Sequence, residues 1–241
     1  MAGRRECPST PPYGDHGPGA DALRDGGGAA LTFLGLALIA YVLGAIPFGV
    51  LVAKAKGVDI LKVGSGNIGA TNVNRVLGKG PGIAVWILDV LKSLVPTLIA
   101  RLVLTQPLGG LDPQTQWFLV GLAAVIGHCA SPFLRFKGGK GISTALGAII
   151  GTAPLVALLC FGLFALVLWV TRYMAIASTI GVCSVVLFFW LVPGNTPQLL
   201  PVLVLLALFV AYRHRANYKR LKEGTEPQFG FGKTKGLSEN P

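Results

Sequence analysis

Along most of this chain apolar residues run in unbroken blocks, without the alternation of a half-buried strand or the one-sided stripe of a surface helix. Crossing a hydrocarbon layer takes about 20 helical residues. The blocks from about Ala30 to Ala53, Pro81 to Leu104, Trp117 to Leu134, Ala153 to Val170 and Ala175 to Val192 are plausible crossings. Two are shorter: Ile142 to Thr152, which stops before Pro154, and Leu199 to Tyr212, unless it extends past Arg213. The pattern predicts an all-α integral membrane protein of about seven transmembrane helices, with one membrane domain over residues 30–226. Residues 1–29 are rich in Gly and Pro and hold no apolar run, so a disordered tail is expected there, and a flexible tail over 227–241. Arg4-Arg5 precedes no hydrophobic stretch before Leu31, which argues against a secretory or twin-arginine signal.

Composition agrees. Of 241 residues 52% are hydrophobic and 13% charged, against roughly 25% charged in soluble domains. The net charge of +11 belongs to loops and not to a nucleic-acid surface. Lys54, Lys56, Lys62, Arg75 and Lys79 follow the first block, Arg135, Lys137 and Lys140 the third, Arg172 the fifth, and Arg213 through Lys235 the seventh. The intervening connections, around Gln106 to Gln116, Thr152 to Pro154 and Pro193 to Gln198, carry no Lys or Arg. Seven crossings then place the N-terminus outside, and the C-terminus and every polar cluster on the cytoplasmic side of the membrane. The cysteines at 7, 129, 160 and 183 lack ligand-like spacing, so neither a disulfide nor a metal site is expected.

Three polar clusters carry candidate chemistry. In Gly64-Ser65-Gly66-Asn67-Ile68-Gly69-Ala70-Thr71-Asn72-Val73-Asn74-Arg75, small residues allow close approach to a ligand. Ser65, Asn67, Thr71 and Asn72 supply donors, Arg75 supplies a fork suited to phosphate, and a helix starting near Gly69 or Ala70 would aim N–H groups at an anion. The Gly64, Gly66, Gly69 spacing imitates a dinucleotide fingerprint, yet the loop lies between two membrane spans and not in a βαβ unit. The second cluster runs from Gly127-His128 through Arg135 and Lys137-Gly138-Gly139-Lys140-Gly141 to Ser143 and Thr144. It lacks the Walker spacing but offers a lysine, a glycine run and a helix start to a phosphate. In the third, Arg213 to Glu226, a helix is expected to end at Gly224, with His214 and Asn217 on one face. Asp89 and Lys92 stand three apart inside the second span and read as a structural ion pair. Arg172-Tyr173 with Ser178 would add a further wall.

These three motifs, in this order and spacing, closely resemble those of the bacterial acyl-phosphate:glycerol-3-phosphate acyltransferases over about residues 31–232; Tyr41 to Gly49 and Leu88 to Lys92 are similar as well. The resemblance implies a seven-helix membrane enzyme that moves a fatty acyl group from acyl phosphate to the 1-hydroxyl of sn-glycerol 3-phosphate, the first step of phospholipid synthesis. It implies no cofactor, membrane lipid as surroundings and a soluble acyl-phosphate synthase as a candidate partner. The chain has Arg172-Tyr173-Met174-Ala175 where the family usually reads Arg-Tyr-x-Ser, so a hydroxyl contact is lost or passes to Ser178. The His-x4-Asp signature of thioester-using acyltransferases is missing, since Phe133 and Lys219 stand five residues after His128 and His214.

A working assignment follows. Arg75 and Ser65, with Lys137 or Lys140, take the glycerol phosphate. The glycine run Gly138, Gly139 and Gly141, with Asn217 and His214, takes the acyl phosphate. His128 and His214 are candidate general bases, as is a substrate phosphate oxygen. The competing reading is a phosphate or organophosphate transporter, although such pathways usually place polar residues near the midplane and on both faces.

Overall fold

The computed structural model describes residues 18–230, with side chains from residue 27 onward. The parts of the expected tails at 1–17 and 231–241 lie outside the described residues. Ten α-helices follow one another among those described: α1 (Pro18–Ala45), α2 (Phe48–Lys54), α3 (Ala70–Leu77), α4 (Lys79–Val103), α5 (Pro113–Cys129), α6 (Ile142–Thr152), α7 (Pro154–Thr171), α8 (Met174–Leu191), α9 (Leu200–Arg213) and α10 (Arg215–Lys222).

Five segments are long and apolar enough to cross a membrane: Gly27–Lys54, Lys79–Val103, Pro113–Leu134, Pro154–Thr171 and Met174–Leu191. The pair Pro197–Arg213 and Arg215–Lys222, bent by 47°, makes a sixth when taken as one broken span. The fourth predicted span, α6, is a helix of only 11 residues, roughly 16 Å long against a ~30 Å hydrocarbon layer. Its ends nonetheless lie in opposite polar layers. Gly141, its N-cap, sits beside Cys129 and Val125 near the end of α5, while Thr152 O accepts from Gln114 Nε2 (3.4 Å) at the start of α5.

Three details depart from the sequence reading. Helix α1 begins at Pro18, inside the stretch expected as a tail. Ala20, Ala22, Leu23 and Arg24 are helix formers, and extending an existing helix costs far less than starting one. The first block is broken at Ile46-Pro47, where proline removes a donor, and α2 resumes at Phe48. Arg101, which lies inside the second block and so outside the loop count, puts a cation in the last turn of α4, next to the connection that carries no Lys or Arg. It lies over the Trp117 ring, 5.3 Å from the centroid, and reaches Gly151 O at 3.4 Å.

The remaining polar groups of that end satisfy one another. Asp112 caps α5 by accepting from Thr115 N (2.9 Å) and also accepts from Thr196 Oγ1 (2.9 Å), while Gln114 Nε2 donates to Asn195 Oδ1 (2.9 Å). Between the two polar layers lies the core of Phe118, Val125, Ala148, Val156, Val185, Leu203 and Val210. The outer sides of α1, α7 and α8 expose Leu31, Leu38, Leu158, Trp169 and Trp190, a surface suited to lipid and not to water.

Helices α1 and α5 touch at their backbones. A Cβ on Gly44 would lie 2.1 Å from Ala124 O, and one on Gly127 2.1 Å from Tyr41 O. Small residues let membrane helices approach this closely. Gly44→Val should therefore cost roughly 1–3 kcal/mol by overpacking and lower the unfolding midpoint in detergent by several degrees, whereas Gly162→Ala, with nothing within 4 Å, should leave it unchanged.

Candidate active site

The 57–69 loop owes its shape to Asn72, which is buried in the first turn of α3. Asn72 Oδ1 accepts from Ser65 N (2.8 Å), and Nδ2 donates to Asn67 O (2.9 Å), Val63 O (3.2 Å) and Ile60 O (3.4 Å). Asn67 Oδ1 takes Gly69 N (2.8 Å) just before α3. The two amides expected to bind substrate thus spend these groups on the loop, because a buried amide finds backbone partners first. The loop in turn sets Ser65 and the first turn of α3, Ala70 and Thr71, against the cavity. Arg75, expected to grip phosphate, lies further along α3 and is not in the cavity wall. Burial pushes its guanidinium pKa down, Glu226 pulling it up and Arg220 pushing it down.

The second cluster closes on itself. Gly138 N donates to Cys129 O (3.0 Å) and Gly139 N to His128 O (3.1 Å), so these two N–H groups are spent on backbone and do not cradle an anion. Their carbonyls accept from Arg213 Nη2. What requires glycine is contact with the histidine: a Cβ at 138 would lie 1.9 Å from His128 O, and one at 139 would lie 2.1 Å from His128 Nε2. Ser131 Oγ→Ala45 O (2.6 Å) and Tyr41 OH→Ala130 O (3.0 Å) fasten the loop to α1. Lys137 points away, exposed, and does not line the cavity; Lys140 and Gly141 do.

Lys140 Nζ donates to Asn217 Oδ1 (2.6 Å) on α10, Asn217 Nδ2 donates to Glu226 Oε1 (2.7 Å), and Arg220 Nε donates to Glu226 Oε2 (2.8 Å). His214, at the kink between α9 and α10, donates from Nδ1 to Val210 O (2.9 Å). Beyond Gly224 the chain turns back. Phe229 N donates to Arg172 O (2.7 Å), so 227–230, expected to be loose, strap the end of α7.

All three clusters meet at a single cavity of about 500 Å³. Ser65, Asn67, Thr71, Asn72, Asp89, His128, Lys140, Ser178, His214 and Asn217 form its polar side; Trp86, Phe161, Phe164, Leu168 and Phe229 form its apolar side. Ala175, where the usual motif has Ser, also lines it, one helical turn from Ser178. Burial pushes the Lys140 ammonium down to about 8, with Glu226 pulling it up and Arg220, Arg75 and Arg213 pushing it down. Cations outnumber carboxylates here, which favours an anionic ligand.

Sequence reading quoted Glu226 without giving it a role, and it missed the aromatic wall. An acid just past the turn at Gly224, following a basic stretch, was the available signal for the first. The aromatics are indistinguishable from lipid-facing residues until α4 and α7 are placed side by side.

A family model described as glycerol-3-phosphate acyltransferase matches residues 34–224. The chain belongs to the glycerol-3-phosphate acyltransferase family. It is 46% identical over 199 residues to a glycerol-3-phosphate acyltransferase of Geobacter sulfurreducens, covering 83% of this chain and 98% of that one. Two solved structures of PlsY (YgiH), an integral membrane glycerol 3-phosphate acyltransferase, are similar at 42% identity. The glycerol 3-phosphate form has a TM-score of 0.75 and the lysophosphatidic acid form 0.72, each covering 83% of this chain and 96% of that one.

If Asn72 builds the loop of this acyltransferase, Asn72→Ala should strip the shape from residues 57–69. Limited proteolysis is expected to cut there, with turnover down at least tenfold, while Asn72→Asp, which keeps the acceptor for Ser65 N, should lose less.

Proposed function

We propose that the protein transfers a fatty acyl group from acyl phosphate to the 1-hydroxyl of sn-glycerol 3-phosphate, forming lysophosphatidate and inorganic phosphate. The observation that carries this reading is the two-sided cavity: a cationic side suits phosphates, and the continuous apolar side of Trp86, Phe161, Phe164 and Leu168 suits an acyl chain. The names of the relatives and the two ligand forms of the solved structures support the same chemistry. The transporter reading finds no support in them, and the polar groups described at the far end pair with one another.

In this reaction the 1-hydroxyl oxygen attacks the acyl carbonyl carbon, the bond from that carbon to the phosphate oxygen breaks, and inorganic phosphate departs. Lys140, the start of α3 and the neighbouring Arg75, Arg213 and Arg220 neutralise charge on the departing and accepting phosphates. The hydroxyl proton passes to a phosphate oxygen or to His214 Nε2, whose lone pair is open because Nδ1–H is spent on Val210 O. Asn217 and Glu226 hold Lys140 in place. The site faces the cytoplasm in this proposal, because Lys54, Lys56, Lys62, Lys137, Lys219 and Lys222 all belong to its end of the bundle. A soluble acyl-phosphate synthase would deliver the donor there.

Purified protein given both substrates should release phosphate only when both are present; uptake into vesicles without phosphate release would overturn the proposal. The depressed Lys140 sets a pH dependence as well. Its positive charge is full well below about 8 and is lost as pH rises through that value. kcat/KM for glycerol 3-phosphate, which reports free-enzyme groups, should therefore fall above pH 8, and Lys140→Arg, charged at any working pH, should flatten that limb.

A further inference from the structure

Inside α4, Lys92 and Asp89 are both buried, and His128 from the last turn of α5 is buried against them. Lys92 Nζ lies 2.6 Å from His128 Nδ1, 2.9 Å from Asp89 Oδ1 and 3.4 Å from Ile46 O. The Phe48 ring stands 5.9 Å away on a further side. An ammonium has three N–H donors and no acceptor. Beside a carboxylate at 2.9 Å the lysine is held as an ammonium, so the short contact to the imidazole has one sense: Lys92 donates and Nδ1 accepts.

That donation decides the ring. An imidazole has one lone pair when neutral, and here Lys92 occupies it. The ring proton sits on Nε2, on the opposite edge, which packs close to Gly139, and His128 itself lines the cavity. The charged groups that approach the ring are Asp89, with Oδ1 3.7 Å from Nδ1, Lys92, and Arg213 from the end of α9. His214 is arranged the other way, with Nδ1–H given to Val210 O and its Nε2 pair left open. The two histidines of one cavity are thus set in opposite tautomers by what their Nδ1 atoms meet.

We propose that Lys92 is a positioning residue that holds His128 as a neutral hydrogen-bond donor, its Nε2–H offered to an anionic or carbonyl oxygen of the reactants. His128 then supplies a donor and is not the proton acceptor. Asp89 has a matching part: it keeps Lys92 charged, and Lys92 bars Asp89 from the ring. Without Lys92, the ring proton would move to Nδ1, where Asp89 Oδ1 can accept a hydrogen bond from it, and Nε2 would be left with a lone pair.

The role assigned to His128 in turnover rests on acyl transfer as the reaction, but its tautomer can be read without any reaction. In full-length protein with 15N-labelled histidine, magnetic resonance should show His128 with an accepting Nδ1 and a protonated Nε2. His16 and His214 are told apart by single substitution. Lys92→Met should move the proton to Nδ1 and lower kcat at least tenfold, with a smaller change in KM for glycerol 3-phosphate. Should Lys92→Met fail to fold around its unpaired Asp89, the double variant Asp89→Asn/Lys92→Met holds no buried charge and offers an amide donor to Nδ1. It is expected to restore the wild-type tautomer and part of the turnover. His128→Gln, which keeps a donor, should retain clearly more turnover than His128→Ala. A protonated Nδ1 in the wild type overturns the proposal whatever the reaction proves to be; a His128→Gln variant as inactive as His128→Ala overturns the donor role.

Discussion

The contact between Lys140 Nζ and Asn217 Oδ1, 2.6 Å long, is the constraint on which the site depends. It joins the loop before α6 to α10, whose Asn217 is held by Glu226 and so by Arg220. Without that chain Lys140 and Arg220 would lose the carboxylate that opposes their repulsion. Among the described residues Glu226 is the acid bonded to both Asn217 and Arg220, and the excess charge it leaves uncancelled is what an incoming phosphate can neutralise. The site is built short of negative charge and is completed by its ligands.

The bundle makes this affordable in structural terms. Five long apolar spans, the bent pair α9–α10 and the short α6 keep the two polar layers apart, and each layer follows a different rule. The far layer, with Asp112, Gln114, Asn195 and Thr196, satisfies its donors and acceptors internally and acts as a clasp. The near layer satisfies its backbone but directs charge into a cavity whose other wall is aromatic. Close packing at Gly44 and Gly127 brings α1 against α5, so that Ala45 O and Ile46 O can receive Ser131 and Lys92. Helix packing at these glycines therefore reaches the site through two carbonyls.

Much of this was legible in the chain itself. The apolar blocks gave the helices, the break before Pro154 separated α6 from α7, and the polar clusters named His128, Lys140, His214 and Asn217, which line one cavity together with Ser178 of the further wall. What escaped was the direction in which polar groups spend their bonds. Asn72 reads as a ligand donor and is a loop brace; Gly138 and Gly139 read as an anion cradle and are the thin wall that lets a loop lie on His128. Residue type announces capacity for hydrogen bonding but not its destination, which depends on neighbours remote in sequence. Arg101 was hidden for a related reason: a cation inside an apolar block is visible, yet its resting place over Trp117 needs the partner helix.

The central claim is that segments far apart along the chain act as one charged unit around the reactants. A double-mutant cycle on Lys140→Ala and Asn217→Ala, read in kcat/KM for glycerol 3-phosphate, tests it most directly, since residues in contact couple while distant ones add. The expected result is a coupling of about 1 kcal/mol or more, the double variant losing much less than the product of the two single losses. Losses that simply multiply would contradict the account, because Lys140 and Asn217 would then act independently in the working enzyme.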